Sequence, residues 1–212
     1  MAQILPAILA QTSDEFFSKV FVFDGIAPVL HIDVMDGNFV PNTTWFDTIS
    51  LNEHSFQSKL ELHLMVMDPM DIVHQCEELD MISRVIWHIE SPVDHLEMLR
   101  TVRHSGRQAG IAINPSSTLE TISPFVDLAD EVLVMGSEPG FSGKTLETRA
   151  LDRVQELHMH HPELVLGFDI GVNAETIQQI QQTGVTRFCA ASALFRAKNP
   201  VEMYRKLEQI LK

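Results

Sequence analysis

Cysteine is almost missing from this 212-residue chain: Cys76 and Cys189 are the only two, and neither belongs to a Cys-x-x-Cys pair or any other zinc-type spacing. That argues against a disulfide framework and a cysteine-ligated metal, and it fits a reducing compartment. Basic residues are scarce too, 15 against 29 acidic ones, so the formal charge is −14, and no basic patch relieves it. Such a surface repels nucleic-acid backbones and anionic lipid, so neither nucleic acid nor membrane is expected as a partner. A small anionic substrate stays open, because a bound cation or a helix N-terminus reverses the potential locally. Long apolar runs are lacking: nothing approaches the ~20 residues of a membrane helix. The start, Met1-Ala2-Gln3-Ile4-Leu5-Pro6, has no basic region and is broken by Pro6, so a cytoplasmic location is the expectation. Finally, no Gly-x-Gly-x-x-Gly follows the first strand-like run, where Pro6-Ala7-Ile8-Leu9-Ala10 stands instead. The fingerprint of a dinucleotide-binding, doubly wound sheet is therefore absent.

What the chain does have is alternation. Eight β-rich runs, near residues 4–9, 29–34, 60–66, 84–88, 110–113, 131–135, 164–168 and 187–190, alternate with segments of helical periodicity. Helix starts are signalled by Ser13-Asp14-Glu15, by Asp68-Pro69, and by Asn173-Ala174-Glu175 before Thr176-Ile177. With 45% apolar residues and no linker or low-complexity tract, residues 1–212 are expected to form one domain around one core. Repeated βα units of this compact size predict an α/β fold, a (β/α)8 TIM barrel near the lower limit of about 200 residues.

Three runs end in groups able to hold a metal: His31-Ile32-Asp33-Val34-Met35, His63-Leu64-Met65, and Phe168-Asp169-Ile170-Gly171. Side chains two apart on a strand point the same way, so one strand presents His31 and Asp33 together. A lone histidine on such a strand is more often a hydrogen-bonded core residue; the joint pattern is what points to a site. In a barrel the C-terminal strand ends converge, bringing His31, Asp33, His63 and Asp169 together. Two imidazoles and two carboxylates suit one divalent metal ion, Zn²⁺, Mn²⁺, Fe²⁺ or Co²⁺, better than Mg²⁺ or Ca²⁺. Two aspartates on opposite sides of a substrate are what inversion of a carbon centre through a planar enediolate requires, one removing a proton and the other returning one.

A second signal follows the sixth run: Met135-Gly136-Ser137-Glu138-Pro139-Gly140-Phe141-Ser142-Gly143-Lys144. Its glycines allow close backbone approach to a phosphate, and barrel phosphate sites gather late loops such as Gly171-Val172 and Ala191-Ser192. By contrast, His158-Met159-His160-His161 reads as an exposed helix end before Pro162, and Trp45 and Trp87 as packing residues. On general grounds Met35, Met65 and Met135 are core filler.

Across nearly the whole chain these motifs resemble ribulose-phosphate 3-epimerases. The resemblance runs from Pro6-Ala7-Ile8-Leu9 to Ala191-Ser192-Ala193-Leu194-Phe195 and is most specific at His31-Ile32-Asp33-Val34-Met35-Asp36-Gly37-Asn38-Phe39-Val40-Pro41-Asn42. It also takes in His63-Leu64-Met65, Asn114-Pro115, Glu138-Pro139-Gly140-Phe141 and Asp169 with Gly171-Val172. It implies a barrel of the ribulose-phosphate-binding type, with His31, Asp33, His63 and Asp169 on the metal and Asp33 and Asp169 as acid and base. It moves Met35, Met65 and Met135 from core filler to the substrate's side. His63, Gly140, Phe141, Ser142, Gly143, Gly171, Ala191 and Ser192 become further substrate contacts. The implied partner is a sugar phosphate, with a homo-oligomer of the chain as a further expectation, and the implied activity is interconversion of D-ribulose 5-phosphate and D-xylulose 5-phosphate.

Four positions depart from the family pattern. Ala7 stands where a serine is usual, Ile170 interrupts Asp-Gly-Gly, Ala191 replaces a glycine before Ser192, and Ser142 replaces a glycine in the loop. Added volume beside the phosphate would narrow or redirect the pocket, and isoleucine is ill suited to a positive φ. Epimerisation of another ketose phosphate, such as a six-carbon one, and a catalytically weakened phosphosugar-binding barrel are the alternatives.

Overall fold

The computed structural model describes residues 2–141, 143 and 146–212. Eight parallel strands, β1 (Gln3–Ile8), β2 (Val29–Met35), β3 (Lys59–Met65), β4 (Ile82–His88), β5 (Gln108–Ile113), β6 (Glu131–Met135), β7 (Leu166–Asp169) and β8 (Arg187–Ala190), close into a barrel in sequence order. Helices α1 (Ser13–Phe23), α2 (Thr48–Asn52), α3 (Pro69–Gln75), α4 (His95–His104), α5 (Leu119–Ile122), α6 (Thr148–His160), α7 (Ile177–Gln181), α8 (Ser192–Phe195) and α9 (Pro200–Ile210) connect the strands and follow the last of them. This is the expected (β/α)8 TIM barrel. The strand positions agree with the expected runs to within two residues. The largest late start is β7, which begins at Leu166 rather than 164 and runs on to Asp169.

The helix signals act as local chemistry says they should. Thr12 accepts a hydrogen bond from the Glu15 amide at 3.3 Å to cap α1, and Asp68 caps α3, with Pro69 in its first turn. Asn173 accepts from the amides of Glu175 and Thr176 at 2.8 and 3.2 Å, but it closes a turn, and α7 starts only at Ile177.

Strand alternation divides the core in two. One set of side chains, including Ile32, Leu62, Val85, Trp87, Ile111 and Val134, packs outward against Phe16, Val20, Met98, Val102, Val154 and Leu207 of the helices. The other set fills the barrel with Leu5, Ala7, Ile86, Ala112, Leu133, Met135 and Cys189. Register stacks the inward residues of β2 and β3 in tiers: His31 opposite Glu61, Asp33 opposite His63, Met35 opposite Met65. Met135 of β6 lies opposite Asp169 of β7 in the same way. No helix of the described residues is long and apolar enough to cross a membrane.

The barrel floor is ionic. Glu61 accepts from Arg84 at 3.1 Å and from Arg187, while Glu131 lies 2.6 Å from Arg84 Nη1 and 2.9 Å from Arg187 Nε, out of hydrogen-bond alignment. Gly167 leaves room for this cluster, since a Cβ there would stand 2.2 Å from Glu131 Oε1. Burial, and next the Glu61 carboxylate, push the Glu131 carboxyl up to about 7 from an ordinary 4.5. A carboxyl raised in the folded state contributes stability that is complete below its unfolded pKa and lost as pH rises through the folded one. The melting temperature is therefore expected to fall between pH 5 and pH 8, and thermal scans of Glu131→Gln should show a flatter dependence.

Candidate active site

At the C-terminal end of the barrel, His31, Asp33, His63 and Asp169 come together: one donor atom from each lies within 4.8 Å of every other. All four are buried. Asp33 Oδ1 is 3.4 Å from His31 Nε2 and 3.1 Å from His63 Nδ1, the two imidazole nitrogens are 3.2 Å apart, and Asp169 Oδ2 is 3.9 Å from His63 Nδ1. Metal–ligand bonds of about 2.1 Å in a tetrahedron place donors about 3.4 Å apart, so the spacing of this set suits a first-row divalent ion.

The outer hydrogen bonds point the same way. Glu61 accepts from His31 Nδ1 at 2.7 Å, which turns His31 Nε2 inward. Glu90 accepts from His88 Nδ1 at 3.1 Å, and His88 Nε2 meets His63 Nε2 at 2.9 Å. Burial lowers the His88 pKa and keeps its imidazole neutral. Its free lone pair can then accept from His63 Nε2–H, leaving the His63 Nδ1 lone pair facing the Asp33 carboxylate. Two acceptors aimed at one another form a place for a cation. Glu90 is itself held by the Asn114 amide at 3.0 Å and by the Ser117 hydroxyl. Glu61, His88 and Glu90 were not singled out by the sequence reading. A signal was present for Glu61, which precedes His63 by two residues on β3, the spacing that puts a strand pair on one face; Glu90 lies in the turn after β4.

The carboxyls are unequal. Burial would raise Asp33, but the adjacent His31 and His63 imidazoles overcome it when they bear the proton whose place a bound cation would take, and they hold the group well below the ordinary range. Asp169 is raised, first by burial and then by the charge on Asp33. Burial works against a proton on His31, yet the Cys189 sulfur and the Asp33 and Glu61 carboxylates outweigh it, and the imidazole is raised well above its usual value. The pocket as a whole favours added positive charge.

Above this set a cleft opens to solvent. Asp33, Met35, Met65, Met135, Gly140, Phe141, Gly143, Asp169, Gly171, Ala191 and Ser192 all line it, so the residues expected from three separate motifs share one cavity. His31 and His63 lie beneath, and Ser142 lies outside the described residues. Leu9, Val172 and Cys189 also line the cleft.

The long motif after β2 is largely scaffold. Thr44 donates to the Asp33 carbonyl at 2.8 Å and accepts from the Met35 amide at 2.9 Å, fixing the strand end. Asp36 accepts from the amides of Asn38, Phe39 and Met67, each at 2.8 Å. Asn42 Nδ2 donates to the Gly140 carbonyl at 2.8 Å, tying this loop to the one after β6.

Ile170 adopts φ +67°, the left-handed conformation expected to suit it poorly, at a cost of about 1–2 kcal/mol. Its backbone N–H turns back to donate to Asp169 Oδ1 at 2.8 Å. Gly136 accommodates the turned carbonyl, because a Cβ there would meet it at 2.2 Å. The remaining candidates keep their plain roles. Trp87 is fully buried and donates to His95 at 3.1 Å, Trp45 packs on Phe16 and Phe17, and His158, Met159 and His160 are exposed at the end of α6.

Residues 3–195 match the Ribulose-phosphate 3 epimerase family. The ribulose-phosphate 3-epimerase of Schizosaccharomyces pombe is 32% identical over 178 residues, covering 82% of this chain and 78% of that protein. The cytoplasmic isoform from Oryza sativa subsp. japonica is 32% identical over 218 residues, covering 98% and 93%. Among solved structures, 3-hexulose-6-phosphate synthase from Salmonella typhimurium superposes with a TM-score of 0.73 at 14% identity, covering 99% of this chain and 98% of that one. At that identity the likeness speaks for the barrel alone.

Proposed function

The chain belongs to the ribulose-phosphate 3-epimerase family, and we propose that it interconverts D-ribulose 5-phosphate and D-xylulose 5-phosphate by exchanging the proton at C3. Asp33 and Asp169 serve as the two acid–base groups, one on each face of the ketose. What carries this reading is their convergence from β2 and β7 onto one ring of donors beneath one cleft. His31, Asp33, His63 and Asp169 hold a divalent metal of the Zn, Mn, Fe or Co kind. When bound, the ion supplies Lewis-acid stabilisation of the charge that develops on the ketose oxygens. Met35, Met65 and Met135 present polarisable, water-excluding walls beside the reacting carbon, and their burial supports this. Gly140, Phe141, Gly143, Gly171, Ala191 and Ser192 receive the phosphate at the far end of the cleft, and His63 orients the sugar. Residues 1–212 act as one barrel domain. The two free, buried cysteines support a cytoplasmic location, and self-association of the chain belongs to the same proposal.

The test is a coupled epimerase assay on chelator-treated protein reloaded with each metal in turn, run alongside mass spectrometry in D₂O. Turnover and deuterium at C3 of both pentulose phosphates are expected. No exchange with either sugar under any metal would overturn the reading, and tight sugar-phosphate binding in that setting would identify a weakened binding barrel. The Ile170 and Ala191 side chains at the phosphate end favour including six-carbon ketose phosphates in the panel. A higher kcat/KM for one of them would reassign the substrate within the same chemistry.

A further inference from the structure

We propose that Arg196 is a specificity residue of this site, the side-chain cation that takes the substrate's phosphate and lets the cleft select phosphorylated over unphosphorylated ketoses; this rests on the epimerase reading. Arg196 follows α8 directly, and its amide donates to the Ser192 carbonyl at 3.1 Å, so the residue is tied by one helical turn to the rim of the cleft. Its guanidinium reaches across to the loop after β6. A Cβ on Gly143 would stand 3.2 Å from both Arg196 Nη1 and Nη2, and Gly143 itself has φ +80°. Glycine there thus serves two needs, the left-handed turn and room for a flat cation lying against the backbone.

The charge on Arg196 is available. Among the described residues no carboxylate or carbonyl partners its exposed guanidinium. Lys19, the other cation of the adjoining cleft shared through Leu9, Ala191 and Ser192, is already engaged. Its Nζ pairs with Glu15 at 2.6 Å, donates to the Leu9 carbonyl at 2.5 Å and lies over the Phe195 ring. Arg196 lines that adjoining cleft, while in the catalytic cleft itself the ionisable groups among the described residues are acidic or thiol, Asp33, Asp169 and Cys189. A dianionic phosphate entering a chain of formal charge −14 gains from a fixed cation at the rim. A guanidinium offers the two parallel N–H donors that match two phosphate oxygens, which an ammonium does not.

The test uses the full-length, metal-loaded protein with Arg196→Gln and Arg196→Lys, both at an exposed position that leaves the core intact. Arg196→Gln is expected to raise KM for D-ribulose 5-phosphate by about ten- to a hundredfold with kcat within about twofold, the size of a charge-assisted contact to a bound anion. Inorganic phosphate, titrated by calorimetry, should lose affinity by a similar factor, and the lysine variant should fall between. Unchanged KM and unchanged phosphate affinity in Arg196→Gln would overturn the proposal, as would a lysine variant as impaired as the glutamine one. The phosphate titration needs no turnover. A wild-type protein that binds phosphate through Arg196 but epimerises no sugar therefore refutes the epimerase reading alone.

Discussion

Asp169→Asn and Asp33→Asn are each expected to lower kcat by about 10²–10⁴-fold, the usual contribution of a positioned acid–base group, before any effect on metal content. The amide keeps the shape and an oxygen ligand but cannot cycle a proton. The two losses should differ in kind. If each carboxylate serves one face of C3, a variant lacking one still exchanges with solvent the hydrogen of the epimer that presents it to the other carboxylate. It does so without inverting the centre. Deuterium incorporation measured separately from each pentulose phosphate, with elemental analysis of bound metal, checks this. Equal exchange from both epimers in either variant would remove that aspartate from the proton path. Because the two act as one unit, the double variant should be little worse than the more impaired single one.

The largest structural effect is expected at Glu61. This buried carboxylate joins the floor of the barrel to the site, since it holds His31 Nδ1 and also faces Arg84 and Arg187. Burial would raise it, but the His31 hydrogen bond and the two guanidinium groups hold it down at about 2. Glu61→Ala leaves two buried arginines with Glu131 as their one shared carboxylate, beside the Gln108 and Gln3 side chains, and strips His31 of its acceptor. Removing one partner of such a network costs about 3–5 kcal/mol. For a chain of this length that lowers the melting temperature by roughly 6–20 °C. The lost orientation of His31 should also weaken metal affinity by about 10–100-fold, measurable by competition with a chelator. A melting temperature within about 2 °C of the parent would show that the floor does not depend on Glu61.

These variants divide what was legible in the sequence from what was not. Asp33 and Asp169 were readable because strand ends have a period and a destination: apolar runs place them on strands, and barrel closure sends those ends to one mouth. Glu61 was not, because a charged residue inside an apolar run gives no sign of whether it meets an arginine, a histidine or water. The same holds for His88 and Glu90, whose roles depend on the neighbouring strand's register. Arg196 was missed for another reason. Its guanidinium meets the loop after β6 at Gly143, 53 positions away in the chain, and no local pattern reports such a contact.

Order of elements, the barrel they close into, and the set of residues at its mouth follow from the sequence alone, since periodicity and turn chemistry are properties of neighbours along the chain. Which nitrogen of each histidine faces inward, which carboxyl is raised and which is lowered, and what Ile170 sacrifices in backbone comfort to hold Asp169 were settled by the tertiary structure. Those outcomes depend on burial and on groups brought within about 4 Å from distant strands, where electrostatic interactions are strong and steeply dependent on distance.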